Sequence, residues 1–400
     1  MNNDSIASCK NCTKYITHDQ IPLKIKQCID EIIKREGYST HKIKCEMTST
    51  EGGNFTSFLY EVNIKGECAD GDKETDIFVK HIMILKNTEI MESSTVFQRE
   101  AHFYSVIAGA FEQLQEDANI PLEERYQFIK HYYSDSEVTI MENANKRGFK
   151  TLNRMDVVPL NVAKRLIQKL AKFHALSYVL EKKQPEFYEK EIKHLEYVVN
   201  YNQTVLKYMN NMADVTIKVL NGETKQKMQE ILPTLIKQFS VHMYPDSSLR
   251  SCLCHGDYRL NNILLNKTTS TVLPIDYQLI NYNNPLKDFF YCIMTCTDQD
   301  FRRDHLDSLK EIYLFSLGEF LKRFNLDVED IYPREEFERA YKKNLKYGLL
   351  MSIVILPFIF VREDDVPEIG DMENEFKLHN MEFKERIQGL AEDFITWLDL

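Results

Sequence analysis

Three residues in the second half of the chain have the types and spacing that phosphoryl transfer to a hydroxyl needs. Asp257 and Asp276 stand nineteen positions apart, and Asn262 follows the first by five, within C-H-G-D-Y-R-L-N-N. One carboxylate beside an acceptor hydroxyl accepts or orients its proton. An amide oxygen and a second carboxylate hold a hard divalent cation against nucleotide phosphates. Asp257 is therefore the expected catalytic residue, with Asn262 and Asp276 as Mg²⁺ ligands and ATP as the co-substrate. His255 is expected to stabilise the loop by hydrogen bonds rather than to move protons.

These residues need elements to hold them. Leu249 to Cys254 reads as a short approach strand, and Ile263–Leu265 with Thr271–Ile275 as a hairpin closed over Asn266–Ser270. Asp257 and Asn262 then lie on the loop before the hairpin and Asp276 just after it, so all three converge. Upstream, Gly52 and Gly53 sit between two strand-like runs, Ile43 to Thr48 and Phe58 to Ile64. Such a glycine hairpin lets backbone amides approach phosphate oxygens, although paired glycines by themselves also simply make turns. A third strand, Thr75 to Ile84, carries Lys80 amid apolar alternation, where an ammonium is unwelcome unless it meets an anion. Glu100 follows twenty residues later on a helical segment with Phe97, Phe103 and Tyr104. A strand lysine paired with a glutamate of the next helix orients nucleotide phosphates in kinases. Ile140 to Ala144 would connect two lobes, with the backbone at Met141 and Asn143 placed to hydrogen-bond an adenine. No G-x-x-x-x-G-K-[ST] occurs, so a P-loop NTPase is excluded.

Beyond Gly148 the pattern turns from strand to helix. Val162 to Leu180 has apolar residues at helical spacing, and His174 within it reads as a satisfied core histidine. Tyr197, Tyr201 and Tyr208 would line an acceptor pocket or merely pack. Further helices are expected over Leu306–Phe324, Glu335–Phe360 and Asn374–Leu400, with a surface loop across the acidic stretch at 362–375.

The whole chain sets the frame. Four hundred residues, 43% of them hydrophobic, suffice for one two-lobed enzyme. The division expected is a loose tail over residues 1–20, a nucleotide-binding β-rich lobe over 21–143 and a catalytic lobe over 144–400. A formal net charge of −11 argues against a nucleic-acid partner. The apolar run Leu349 to Val361 falls short of the ~20 residues that span a bilayer, so a buried core helix and no membrane span are expected. Nine cysteines without a secretory leader suggest reduced thiols and a cytoplasmic protein. The Cys9/Cys12 pair and the Cys252, Cys254, His255 cluster lack the second ligand pair that a zinc site needs.

As a set, these motifs resemble a known family. E-G-G-N-F, F-V-K, F-Q-R-E-A-H-F-Y, L-A-K-F-H-A-L-S, C-H-G-D-Y-R-L-N-N, I-D-Y-Q and N-P-L-K-D-F-F-Y-C-I are similar to the ecdysteroid kinase-like proteins, relatives of choline and aminoglycoside kinases. The resemblance implies an α+β, two-lobed protein-kinase-like fold and an ATP-dependent kinase acting on a hydroxyl of a steroid or other lipophilic small molecule. It also implies that Asp288 braces the catalytic loop. Tyr258 and Arg259 replace the aromatic or Trp-containing pattern usual after H-G-D, on the side that faces the acceptor. Two other readings stay open: a catalytically silent nucleotide- or ligand-binding protein on this fold, and a choline- or aminoglycoside-type phosphotransferase.

Overall fold

Apolar residues alternating with polar ones make the first third of the chain a sheet. The computed structural model describes residues 14–16, 21–48, 57–83, 91–361 and 381–399. Strand β1 (Lys14–Ile16) and helix α1 (Leu23–Arg35) precede β2 (Tyr38–Thr48), β3 (Ser57–Cys68) and β4 (Gly71–Ile82). Helix α2 (Ser93–His102) runs through a π-turn into α3 (Ala108–Asp117), and β5 (His131–Ser134) with β6 (Val138–Glu142) completes an antiparallel sheet of order β1-β2-β3-β4-β6-β5. Residues 14–16 were expected in a loose tail; instead β1 pairs with β2, Lys14 opposite Met47. The edge of β2 offers unpaired backbone groups that even three residues can satisfy. Gly52 and Gly53, the Cys9/Cys12 pair and the loop expected at 362–375 lie outside the described residues.

The two faces of this sheet have different tasks. On one, Ile25, Ile29 and Ile32 of α1 pack on Val62, Ile64, Ile77 and Val79. Since successive strand residues point to opposite faces, Val79 in that core puts Lys80 on the other face, toward α2. The register Leu59–Lys80–Thr139 places the lysine in the middle of three strands.

After β6 the chain becomes mainly helical. It continues through β7 (Phe149–Thr151), α4 (Leu160–Lys183), α5 (Pro185–Glu191), α6 (Gln203–Val219), α7 (Gly222–Lys237) and α8 (Phe239–Met243). Strands β8 (Cys252–Cys254), β9 (Ile263–Asn266), β10 (Thr271–Pro274) and β11 (Asn281–Asn283) then form two small sheets, β10-β9-β7 and β11-β8. Helices α9 (Leu286–Cys296), α10 (Gln299–Lys322), α11 (Val328–Ile331), α12 (Arg334–Phe360) and α13 (Met381–Trp397) complete the fold. Helix α12 is long and apolar enough to cross a membrane, but 72% of its apolar stretch is buried against the rest of the protein. Leu350 and Leu356 are wholly covered, and each such side chain stabilises the fold by roughly 1.5–3 kcal/mol. The expected core helix is what forms.

Candidate active site

The loop between β8 and β9 is held by one buried carboxylate. Asp288, in the first turn of α9, accepts the backbone N–H of His255 on Oδ2 at 2.6 Å and that of Gly256 on Oδ1 at 2.9 Å. Gly256 has φ +83°, and a Cβ there would lie 2.1 Å from the Leu279 carbonyl oxygen, so no other residue fits. His255 completes the brace. The Asp257 amide donates to its Nδ1 at 3.4 Å, so Nε2 carries the proton toward the Ile275 carbonyl oxygen at 3.1 Å. Burial lowers its pKa below the ordinary value, which keeps the ring neutral.

Asp257 emerges from this loop, 5% exposed. Its Oδ2 accepts the Asn262 amide at 2.7 Å, and its Oδ1 accepts Arg259 Nε at 2.8 Å and the Tyr291 hydroxyl at 2.5 Å. Both hydrogens of Asn262 Nδ2 go to Asp257, the second to its backbone carbonyl at 2.9 Å. That orientation leaves Asn262 Oδ1 without a hydrogen bond among the described residues.

Asp276 ends the β9–β10 hairpin with φ +68°, a left-handed conformation that Asp tolerates better than most residues. The next ring is clamped. Tyr277 stacks on Phe103 at 3.7 Å between centroids, and its hydroxyl meets that of Tyr126 at 2.9 Å. So anchored, Asp276 Oδ1 reaches Lys80 Nζ at 2.7 Å, while Glu100 Oε2 meets the same ammonium at 2.9 Å. Burial opposes charge on Lys80, but the two carboxylates outweigh it and hold the lysine above its ordinary pKa. Arg99, beside Glu100, fixes α2 to the helical part by donating to the carbonyls of Ile280, at 2.9 Å, and Glu196.

Asn262 and Asp276 thus present an amide oxygen and a carboxylate oxygen, the donors a hard cation such as Mg²⁺ prefers. Among the described residues, the one His/Cys cluster, His174 with Cys252 and Cys254, does not include them. The fit is to Mg²⁺ rather than to zinc.

The connector is less open than its position suggests. The Glu142 N–H goes to Lys130 O at 2.8 Å and that of Asn143 to Asp76 O at 2.9 Å. The Asn143 side chain donates to Glu61 at 3.0 Å and caps the Asn145 amide, and the Met141 side chain is buried.

Several placements differ from the sequence reading. Tyr258 does not face the acceptor side: it is buried, with its hydroxyl donated to the Leu166 carbonyl at 2.9 Å. Only Arg259 reaches Asp257. Of the tyrosines on the long connection, burial and the nearby Asp257 charge push Tyr197 up, whereas Tyr201 stacks on Phe239 and Tyr208 packs near Phe358. The cysteine cluster takes a different histidine, because His174 gathers with Cys252 and Cys254 while His255 does not. Tyr291 was missed; its signal was the spacing of three from Asp288, which puts both on one face of α9.

His174 is more than a packed ring. Its Nε2 lies 3.1 Å from Asp288 Oδ2 and its Nδ1 2.8 Å from the Tyr313 hydroxyl. Burial works against its charge, but hydrogen bonding to Asp288, with help from Cys254, prevails and pushes it up to about 9. A histidine raised in the folded state stabilises fully below its unfolded pKa of about 6.5, and the contribution fades as pH rises through the folded value. The stability difference between wild type and His174→Gln should therefore be constant below about pH 6.5 and shrink by about 1.4 kcal/mol per unit toward pH 9. Urea unfolding of both proteins across that range checks this; a pH-independent difference would contradict it.

Residues 51–326 match the ecdysteroid kinase-like family. The chain belongs to that family. It is accordingly a small-molecule kinase, an ATP-using phosphotransferase with an alcohol as acceptor. No curated protein matches the chain. Among solved structures, the chain is similar to the Plasmodium vivax ethanolamine kinase at 10% identity, covering 89% of this chain and 84% of that one, with TM-score 0.40. A macrolide 2′-phosphotransferase type I shares 13% identity over 86% and 94%, with TM-score 0.43. A choline/ethanolamine kinase family protein from Mesorhizobium loti shares 12% over 91% and 99%, with TM-score 0.38. The β-rich lobe and helical lobe of this ecdysteroid kinase-like chain meet where Lys80, Glu100 and Asp276 join.

Proposed function

We propose that this protein transfers the γ-phosphate of ATP, with Mg²⁺, to a hydroxyl of a neutral lipophilic alcohol, a steroid of the ecdysteroid type being the first candidate. The observation that carries this reading is the surroundings of Asp257. Its charge is balanced by Arg259 at 2.8 Å, and beside the Asn262 amide its neighbours include the Tyr291 hydroxyl and the nearby Tyr197 and Tyr347. With that pair neutral, Asp257 offers little net charge to attract an ammonium group. Tyrosine rings with hydroxyls suit a flat, polyhydroxylated apolar body better.

In this reading Lys80, steadied by Glu100, orients the nucleotide phosphates. Asn262 and Asp276 would hold Mg²⁺, which neutralises charge on the transferring phosphoryl group. Asp257 takes or orients the acceptor proton, and Tyr291 and Asn262 fix the direction of its oxygens. Arg259 is placed to turn from Asp257 to the acceptor or to the phosphoryl oxygens. Gly52 and Gly53 would cover the phosphates.

The test is a panel of neutral sterol polyols, choline, ethanolamine and an aminoglycoside, incubated with ATP and Mg²⁺ and read by mass for addition of phosphate. Neutral polyols alone should be phosphorylated, and chelation of Mg²⁺ should abolish turnover. A higher kcat/KM for the cationic acceptors would overturn the reading. Tight ATP binding with transfer to none of them would instead favour a silent binding protein.

A further inference from the structure

A concave region of the protein lies apart from Lys80, Asp257 and Asp276, none of which lines it. A cavity of about 830 Å³ opens between the segment before β5, helix α4, the turn of the β9–β10 hairpin and α10. The hairpin relates it to the catalytic residues. Its open end, where Ile263 faces Pro274, adjoins Asn262 and Asp276, while its closed end, where Asn266 faces Thr271, borders the cavity. Three residues along a strand separate the ends by about 10 Å.

In a chain of formal net charge −11, six basic and three acidic side chains line this cavity. The acids do not balance the bases evenly. Glu124 pairs with Arg323, Glu319 with Lys322 and Glu116, from outside, with Arg125. Glu123 is exposed with no ion pair among the described residues. Arg165, Lys169 and Lys172 likewise have none. They follow one another at spacings of four and three along α4, so they share one face and repel one another.

Lys169 is the most constrained of them. Its ammonium lies 4.2 Å from the Tyr126 ring centroid, and burial together with Lys172 pushes it down to about 7. Lys172 has a single hydrogen bond, to the Glu124 carbonyl at 2.7 Å. Arg165 is exposed and Lys169 and Lys172 are partly buried, so gathering full positive charge on this wall is costly unless an anion joins them. The facing wall mixes the ion-paired Glu319, Lys322 and Arg323 with two aromatic rings, Phe315, 69% exposed, and Phe320, which is buried.

We propose that this cavity binds a small organic phosphomonoester, its phosphate held by Arg165, Lys169 and Lys172 and its apolar body resting on Phe315. Arginine and lysine supply charge-assisted hydrogen bonds to a dianion, and the exposed ring gains cover. The proposal is independent of the phosphoryl-transfer reading.

The probe is phenyl phosphate, titrated calorimetrically into the full chain with and without excess non-hydrolysable ATP analogue and Mg²⁺. Binding should persist with the analogue present. Arg165→Gln and Lys169→Met should each weaken it by about tenfold, the loss of one charge-assisted hydrogen bond. Arg165 is exposed, so its replacement leaves the fold intact. Phe315→Ser should weaken phenyl phosphate but leave the weaker binding of inorganic phosphate unchanged. Binding that the ATP analogue abolishes, or that the Arg165→Gln/Lys169→Met double variant retains at full strength, would overturn the proposal.

Discussion

Asp257→Asn is expected to lower kcat on the order of 10³-fold while leaving the dissociation constant for ATP within about threefold of wild type. The asparagine keeps the shape of the side chain and still accepts from Tyr291 or Asn262, but it cannot take a proton from an acceptor hydroxyl. In the proposed reading ATP is held elsewhere, with Lys80 orienting its phosphates, so its binding should be spared. A second effect follows from the ion pair. Arg259, 11% exposed at its side chain, loses its counter-charge at 2.8 Å, and an uncompensated, largely buried guanidinium costs roughly 3–5 kcal/mol of stability. Adding Arg259→Gln should restore most of that stability and none of the turnover. A single variant retaining more than a tenth of wild-type kcat would remove Asp257 from its proposed role.

How much of this was legible in the sequence follows from where the partners come from. Asp257, Asn262 and Asp276 lie within one loop and hairpin, so spacing alone brought them together. Lys80 could be read because an ammonium inside an apolar alternation demands a partner, and Glu100 was the next carboxylate on a helix. The ion pair of Lys80 with Asp276 spans 196 positions, and only the shared chemistry of the motifs linked them. The bracing contacts had no such label. His174 meets Asp288 across 114 positions and Tyr126 meets Tyr277 across 151. Each of these side chains looks like ordinary core packing until its polar atom finds its partner.

Two misplacements had signals that were available. Cys252 and Cys254 are two apart on a strand and share a face, whereas His255 is adjacent and must point away. The histidine that joins them therefore had to come from another element, here α4. Tyr258 and Arg259 are also neighbours, and only one of two adjacent residues can turn toward Asp257. In a loop without a period, nothing in the sequence says which. The apolar surroundings decide it, taking the phenol ring into the core and leaving the guanidinium with the carboxylate.

The largest stability effect should come from Asp288→Ala. Three donors converge on this carboxylate: the His255 amide at 2.6 Å, the Gly256 amide at 2.9 Å and His174 Nε2 at 3.1 Å. The His255 amide and the His174 ring are buried with it and the Gly256 amide is partly buried, so truncation leaves the first two without a partner and out of reach of water and the third poorly satisfied. An unsatisfied buried donor costs about 1–3 kcal/mol, so the loss should exceed about 4 kcal/mol, a large part of the 5–15 kcal/mol that holds a typical protein folded. At about 2 °C per kcal/mol for a chain of this size or somewhat smaller, the melting midpoint should fall by roughly 8 °C or more. Asp288→Asn should lie between the two, since its oxygen can serve one amide while its NH₂ opposes another donor. Activity should fall with both, because Gly256 and His255 are the residues that aim Asp257. A fall of less than about 3 °C for the alanine variant would show that the brace is not what holds the loop. The pH profile separates this brace from simple cavity formation. Without the carboxylate, His174 loses the largest of the contacts that raise it to about 9 and keeps only the help of Cys254, so the decline of stability from about pH 6.5 to 9 expected of wild type should be much reduced in Asp288→Ala, whereas a cavity elsewhere in α9 would leave it in place.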